Sequence, residues 1–392
     1  MLVLLAMAFG AAASPATVAG KSPVGDVLPA VSDVVAERLS FRPQSGEKVS
    51  WRYRTAVTST VTASIFDGRD LLVRAVLKGQ DLPAGDHRLA WDGRDDDGRV
   101  APPGYYVLTI ESQAGGKTVR YDPTEATGGE LTQASAARYD TGRGLVNYAL
   151  QKPSLLRIHL GLKDDGPLLR TLVDWVARSA GEHTESWDGW DASHVIRFGD
   201  SPKLDIQVWA YALPVNAVIV DPPATTLLPA VLKSRPADSP TVTRPEFLEF
   251  PRGRPTRPKG AARAHEMYNH WQHDRTRCHN PIVGLKAVGT ESRGGSGPLT
   301  VAAPLPLRLD LTPEEASSLQ DERFEAVIYV DGIFEFEEEQ GYLPFTWSLK
   351  PEMLTPGEHV ITFMVRGYEG HFGSSSIRVL RPKGAGTPAI GR

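Results

Sequence analysis

The side chains best suited to chemistry lie in one stretch, His265-Glu266-Met267-Tyr268-Asn269-His270-Trp271-Gln272-His273-Asp274, followed by Cys278 and His279. Four of the ten histidines and the single cysteine fall within these 15 residues. Imidazole and thiolate are borderline-soft ligands suited to zinc, copper and iron, so His265, His270, His273, Cys278 and His279 form a candidate metal set. Spacing narrows the options. A zincin needs His-Glu-x-x-His, with both imidazoles one helical turn apart, whereas His265 and His270 would diverge by about 140° on a helix. His270 and His273 are about 60° apart on the same geometry and can share a face. No Cys-x-x-Cys-His occurs, which excludes covalent haem attachment and leaves only axial contact to a haem held by a partner. In the plainer reading Met267, Tyr268 and Trp271 pack on a domain face while the histidines bond locally. On that reading no cofactor is expected, and zinc, copper or a haem contact is the alternative.

Two acidic clusters are weaker candidates. Asp92 to Asp97 resembles a calcium loop, but Gly98 is seventh from Asp92 and no glutamate stands twelfth, so a hairpin turn is expected. Glu335, Glu337, Glu338 and Glu339 flank Phe336 and read as a solvated edge or hairpin tip, with a docking surface for a basic partner as the sharper alternative. No Gly-x-Ser-x-Gly, phosphate loop or dinucleotide fingerprint is present, so the expectation is a chain that is not an enzyme.

The elements around these residues are organised by an internal repeat. Arg74, Gly85, His87, Trp91 and Gly93 recur 96 positions later as Arg170, Gly181, His183, Trp187 and Gly189. Flanking segments alternate apolar and polar residues, as in Val49-Ser50-Trp51-Arg52-Tyr53 and Val61 to Phe66, the period-two pattern of half-buried strands. Tryptophans at Trp91, Trp187 and Trp347 are expected between sheets, Gly93 and Gly189 in tight turns of positive φ, and His87 and His183 in packing roles. The fold class is therefore all-β, built of antiparallel sandwiches.

The order Ile65-Phe66-Asp67-Gly68, Leu72-Val73-Arg74, Ala84-Gly85-x-His87, Trp91-Asp92-Gly93-Arg94-Asp95 and Pro103-Gly104-Tyr105-Tyr106 resembles the Ig-like module of the flagellar hook-capping protein FlgD. The resemblance covers about residues 48 to 113 and implies an Ig-like sandwich of a kind found on exported bacterial proteins. The second copy keeps Leu169-Arg170 and Trp187-Asp188-Gly189, but Trp190-Asp191-Ala192-Ser193 then replaces Arg-Asp-x-x-Gly, so its turn is expected to differ. Leu204 to Tyr211 alternates cleanly and is expected as its last strand. Near the end, Tyr329-Val330-Asp331-Gly332 and Pro344-Phe345-Thr346-Trp347 resemble the closing strands of other bacterial Ig-like domains.

These readings divide the chain into a signal peptide at 1–14, an extended segment at 15–45, FlgD-like Ig modules at 46–115 and 116–220, a Pro/Arg-rich linker at 221–264, the histidine-rich segment at 265–300, a bacterial Ig-like module at 301–382 and a flexible tail at 383–392. The signal reading rests on the apolar run Leu2 to Phe9 followed by small residues to Ser14, although no Lys or Arg precedes it. Nearly balanced charge, 43 basic against 47 acidic residues, removes nucleic acid as a partner. One cysteine excludes an intramolecular disulfide. No transmembrane span is expected after signal removal. The function expected is an exported, non-catalytic scaffolding subunit binding envelope or extracellular proteins. The alternatives are a redox accessory protein, its partner a cytochrome, and a carbohydrate-binding surface protein.

Overall fold

The computed structural model describes residues 28–132, 134, 136–223, 255, 280–289, 297–367 and 371–383. Three sandwiches follow one another, each pairing a three-stranded sheet with a larger one. The expected signal peptide and the set His265, His270, His273, Cys278 and His279 lie outside the described residues.

The first sandwich contains β1 (Val31–Ala36), β2 (Ser40–Phe41), β3 (Val49–Thr55), β4 (Ser59–Asp67), β5 (Leu72–Leu82), β6 (Gly85–Trp91), β7 (Gly104–Ala114) and β8 (Lys117–Tyr121). Strict alternation along β3 sends Val49, Trp51 and Tyr53 inward, where Trp51 and Trp91 are almost wholly buried against Val61, Ile65 and Tyr106. Large aromatic rings fill the roughly 10 Å gap between facing sheets, which is why tryptophan rather than leucine marks the repeat.

The second sandwich contains β9 (Leu131–Thr132), β10 (Arg138–Asp140), β11 (Leu145–Leu150), β12 (Ser154–Leu162), β13 (Leu168–Arg178), β14 (Gly181–Ser186) and β15 (Leu204–Ala212), with Trp187, Leu156, Ile158 and Val173 in its core. Next comes β16 (Val218–Val220), which leaves this sandwich and returns to the first, antiparallel to β7 and parallel to β2. The first sandwich therefore draws on both of its neighbours in sequence. Residues of the lead-in segment form β1 and β2, and the chain beyond the second sandwich covers the β7 edge. A three-residue strand has too few positions to display a period, so β16 is invisible to pattern reading.

The third sandwich contains β17 (Gly284–Ala287), β18 (Leu299–Thr300), β19 (Leu305–Asp310), β20 (Phe324–Val330), β21 (Ile333–Glu338), β22 (Thr346–Leu349), β23 (Gly357–Gly367) and β24 (Phe372–Arg381). Its larger sheet runs β18-β24-β23-β20-β21. Helix α1 (Pro313–Glu322) starts where Thr312 Oγ1 accepts the Glu315 N–H at 3.2 Å, with Pro313 in the first turn. Phe345 is buried and Trp347 half-buried on the same core. Here β17 and β18 fall inside the stretch expected as histidine-rich segment, so this sandwich begins before residue 301. Their four and two residues gain a strand identity only through pairing with β19 and β24.

Candidate functional site

One local device recurs in all three sandwiches. Each has a Gly-x-His turn, Gly85 to His87, Gly181 to His183 and Gly357 to His359, with glycine φ values of 133°, 116° and 141° that side chains rarely adopt. In each, histidine Nε2 meets the carbonyl four residues earlier: Pro83 at 2.9 Å, Ser179 at 2.8 Å and Thr355 at 2.7 Å. The rings of His87 and His183 also pack on Tyr53 and Tyr148. These histidines close turns. The third copy was readable in Gly357-Glu358-His359, though it lies outside the 96-residue offset. His359 alone gains a carboxylate, with Nδ1 at 2.6 Å from Asp331 Oδ2. Burial acts against its charged form, but the Asp331 carboxylate and Thr355 carbonyl outweigh it and raise its pKa.

After the tryptophan the first two sandwiches also share a turn, contrary to expectation. Trp91 Nε1 donates to the Arg94 carbonyl at 2.8 Å and Trp187 Nε1 to the Trp190 carbonyl at 2.9 Å. Buried Asp95 accepts the amides of Asp97 and Arg99, and buried Asp191 accepts those of Val195 and Ile196. Arg74 and Arg170 both donate to the carbonyl of that aspartate. Gly98 has φ 81° and its counterpart His194 has φ 54°. Histidine is among the few non-glycine types enriched in the left-handed region, and His194 is anchored there by Asp188 at 2.8 Å. The turn therefore survives the loss of its glycine. Gly93 and Gly189 sit at φ 73° and 85°. A Cβ on Gly93 would meet Pro43 Cβ at 2.4 Å, whereas one on Gly189 would meet Tyr139 Oη at 3.3 Å.

With these turns accounted for by folding, the groups left over lie between sandwiches. Tyr105 and Val107 of β7 pack against Leu155, Ala177, Leu213 and Ile219, joining the first sandwich to the outer face of β12 and β13. At this seam Asn216, held at φ 61°, reaches back across the sequence. Its amide nitrogen donates to the Val34 carbonyl at 2.7 Å, its Oδ1 accepts the Ala36 amide at 3.0 Å, and its own carbonyl accepts the Trp51 indole at 3.1 Å.

The second seam is polar and buried. Asn280 donates its backbone N–H and its Nδ2 to the two carboxylate oxygens of Asp174, each at 2.8 Å, while its Oδ1 accepts the Phe372 amide at 2.7 Å. Asp174 is fully buried and Asn280 nearly so. Asn280 Nδ2 also faces His159 Nε2 at 3.3 Å, which makes that nitrogen the acceptor and fixes the neutral tautomer with its proton on Nδ1. Burial, reinforced by nearby Arg157, holds the His159 pKa well below its ordinary value. The ring packs on Phe372, Leu168 joins Val327, Tyr329 and Met364, and Ser193 Oγ accepts the Ser376 amide at 2.9 Å. A cavity of about 230 Å³ lies beside this network, bordered by Arg170, Thr171, Ser193, Ile282, Gly373 and Ser374.

Chemically this seam is committed to holding. His159 Nε2 is occupied by Asn280, and Ser193 Oγ is shared between the Ser376 amide and Ser375 Oγ, so the hydroxyls and imidazole do not form a nucleophile–base pair. Between the seams the Arg157 guanidinium lies 4.6 Å from the Trp175 ring and 5.8 Å from that of Trp209, which is 38% exposed. Among the described residues no group of three or more His, Cys, Asp or Glu is arranged to hold a metal ion. Sequence reasoning placed its candidates at the histidine segment and missed Asn216, Asp174, His159 and Asn280. The one signal available was polar residues at core positions, as at His159 in the apolar run of β12.

Residues 39–116 match the FlgD Ig-like domain. No curated protein matches the sequence. Among solved structures, the fibronectin(III)-like modules of Clostridium thermocellum CbhA are 8% identical, covering 93% of this chain and 100% of theirs at a TM-score of 0.19. A bacterial ice-binding adhesin structure is 8% identical, covering 90% of this chain and 98% of its own at 0.18. An alpha-2-macroglobulin from Salmonella is 10% identical over 91% of this chain and 33% of its own, at 0.19. The family match carries the Ig-like likeness over residues 39–116, and the sheets of the three sandwiches make the chain all-β. Ig-like families are generally non-enzymatic and serve structural or binding roles, and no described helix is long and apolar enough to cross a membrane.

Proposed function

We propose that the chain is an exported, non-catalytic scaffold whose three sandwiches are held in one fixed arrangement and present partner-binding surfaces at set spacings in a cell-envelope or extracellular assembly. The observation that carries this reading is the construction of the seams. Modules strung on a flexible tether need only solvated connectors, and interfaces within a chain normally permit relative motion unless they are large or tightly bonded. Here one seam has an apolar cluster of its own and the other a buried asparagine–aspartate–histidine network, which cannot part without exposing groups committed to one another. Export is supported by the apolar run Leu2 to Phe9 and the small residues after it. Spin labels on the first and third sandwiches test the arrangement. A single narrow distance distribution is expected, and a broad one, as from beads on a string, would overturn the scaffold.

One observation favours a second reading. Trp209, exposed beside Asp205 and Gln207 on the same face of β15, has the combination of stacking ring and polar neighbours that sugars use. Quenching of its fluorescence by soluble glycans, absent in Trp209→Ala, would support a carbohydrate-binding surface.

A further inference from the structure

The terminal strand of the third sandwich's larger sheet combines the devices of a protected edge with a row of exposed apolar side chains. One side of β21 pairs with β20, and among the described residues no strand pairs with its other side. An edge strand presents a row of unused backbone donors and acceptors, which soluble proteins normally shield with short length, bulges or charge. This edge is six residues long, slips register at Glu335 and carries glutamates, yet it also exposes apolar side chains: Ile333 is 73% exposed, Phe334 52% and Phe336 37%, with Tyr342 at 52% just beyond the strand. Large apolar groups clustered on a surface mark sites of interaction.

The charge on the strand itself is all negative. Glu335, Glu337, Glu338 and Glu339 stand on or next to the strand, and Glu325 lies across on β20. Arg366 pairs with Glu325 at 2.5 Å and Glu337 at 3.7 Å, while Glu335, Glu338 and Glu339 enter no ion pair among the described residues. Burial and the Glu325 carboxylate push the Glu337 acid above its ordinary range. Two copies of this edge would bring acid against acid, so self-pairing is disfavoured. Anionic lipid surfaces are disfavoured for the same reason.

We infer that β21 is a docking edge for a basic, extended segment of a partner protein, added to the sheet as one more strand in which Lys or Arg alternates with apolar residues. Main-chain hydrogen bonds to the open side supply affinity, the apolar positions cover Phe334 and Phe336, and the cations meet the unpaired glutamates. The inference rests on the scaffold reading, because it names the chemistry of a partner that scaffold would hold.

Fluorescence anisotropy with the full chain tests it, using a labelled peptide of alternating Lys and Val as probe and a Glu-Val peptide of equal length as control. The lysine peptide is expected to bind at least about tenfold more tightly, with affinity falling as salt rises. It should also slow amide exchange along Ile333–Glu338. Reversal by Glu335→Lys with Glu338→Lys, and removal of the rings by Phe334→Ser with Phe336→Ser, should each weaken binding about tenfold or more. The milder single change Glu338→Lys, on a half-exposed side chain, serves if a double variant loses its β20–β23 exchange protection. Equal binding of both peptides, unchanged affinity in the reversal variants, or protection that appears away from β21 would overturn the inference. Such a result with a narrow spin-label distance distribution leaves the scaffold standing, whereas a broad distribution overturns the scaffold whatever the peptides do.

Discussion

Asn280→Ala removes three side-chain hydrogen bonds from the seam between the second and third sandwiches, the longest being that to His159 at 3.3 Å, while leaving the backbone bond to Asp174 in place; two of the three carry most of the cost. One lost bond, from Nδ2 to Asp174 Oδ1 at 2.8 Å, is charge-assisted, and a bond of that kind contributes about 1.5–3 kcal/mol. The other, from the Phe372 amide to Oδ1 at 2.7 Å, leaves a buried N–H without its acceptor, a cost of about 1–3 kcal/mol. Together the variant should destabilise the closed seam by about 3–5 kcal/mol, since both groups are too deeply buried for water to replace the asparagine fully. Native-state hydrogen exchange reads this directly: the Phe372 amide should exchange at least about a hundredfold faster, while amides in the core of the first sandwich stay unchanged. Asn280→Asp keeps the shape but opposes two carboxylates, which can sit together only by sharing a proton. The folded pair then titrates above the unfolded carboxylate value of about 3.9, so its seam should be firmest in acid and loosen as pH rises through the folded pKa. An Asn280→Ala effect below about 1 kcal/mol, or an Asn280→Asp seam that tightens with rising pH, would refute the assignment of Asn280 as the residue that locks the seam.

Other outcomes follow from the same geometry. His159 is held neutral, with a folded pKa below the unfolded value of about 6.5, so the unfolded chain binds the proton first and stability falls as pH drops below that value, by up to about 1.4 kcal/mol per pH unit. His159→Gln keeps an acceptor for Asn280 and should abolish that part of the slope in melts from pH 7.5 to 5. His359 has the opposite sign: its raised pKa makes its contribution full below the unfolded value and lost as pH rises through the folded one, and Asp331→Asn should lower that pKa in an NMR titration. Gly93→Ala and Gly189→Ala both force alanine into left-handed backbone at about 1–2 kcal/mol, but only Gly93→Ala also collides with Pro43, so its melting temperature should fall further. Metal analysis of the purified full chain should find no stoichiometric zinc, copper or iron; one ion per chain, lost in His270→Ala and His273→Ala, would reverse that expectation.

Legibility tracked the range of the forces involved. Strands such as β3 and β15 declare themselves because alternation is local, and Trp91 with Gly93 reveals a repeat because inter-sheet filling and a positive-φ turn each demand a particular residue type at a fixed place. The same reasoning failed one turn later. Gly98 has no glycine counterpart, so a different turn was expected, yet Asp191 still stands 96 positions after Asp95 and accepts amides as Asp95 does. The aspartate determines the turn, and the glycine only makes its backbone less costly. His194 shows that an ion pair to Asp188 can stand in for that freedom.

The seams were illegible for a different reason. Asn216 acts 182 residues from Val34, and Asn280 acts 106 residues from Asp174 and 92 from Phe372, distances over which no local period survives. Both are single polar residues outside the strands, where asparagine ordinarily signals a solvated turn. What separates them from turn residues is burial combined with complete use of the side-chain amide, and that emerges only once three elements meet. The same contrast bears on β21. Its glutamates looked like solubilising charge in the sequence, and an acid-rich edge alone would support that reading. Phe334 and Phe336 are what change it, because a strand that needed only solubility would not leave two aromatic rings partly exposed among its carboxylates.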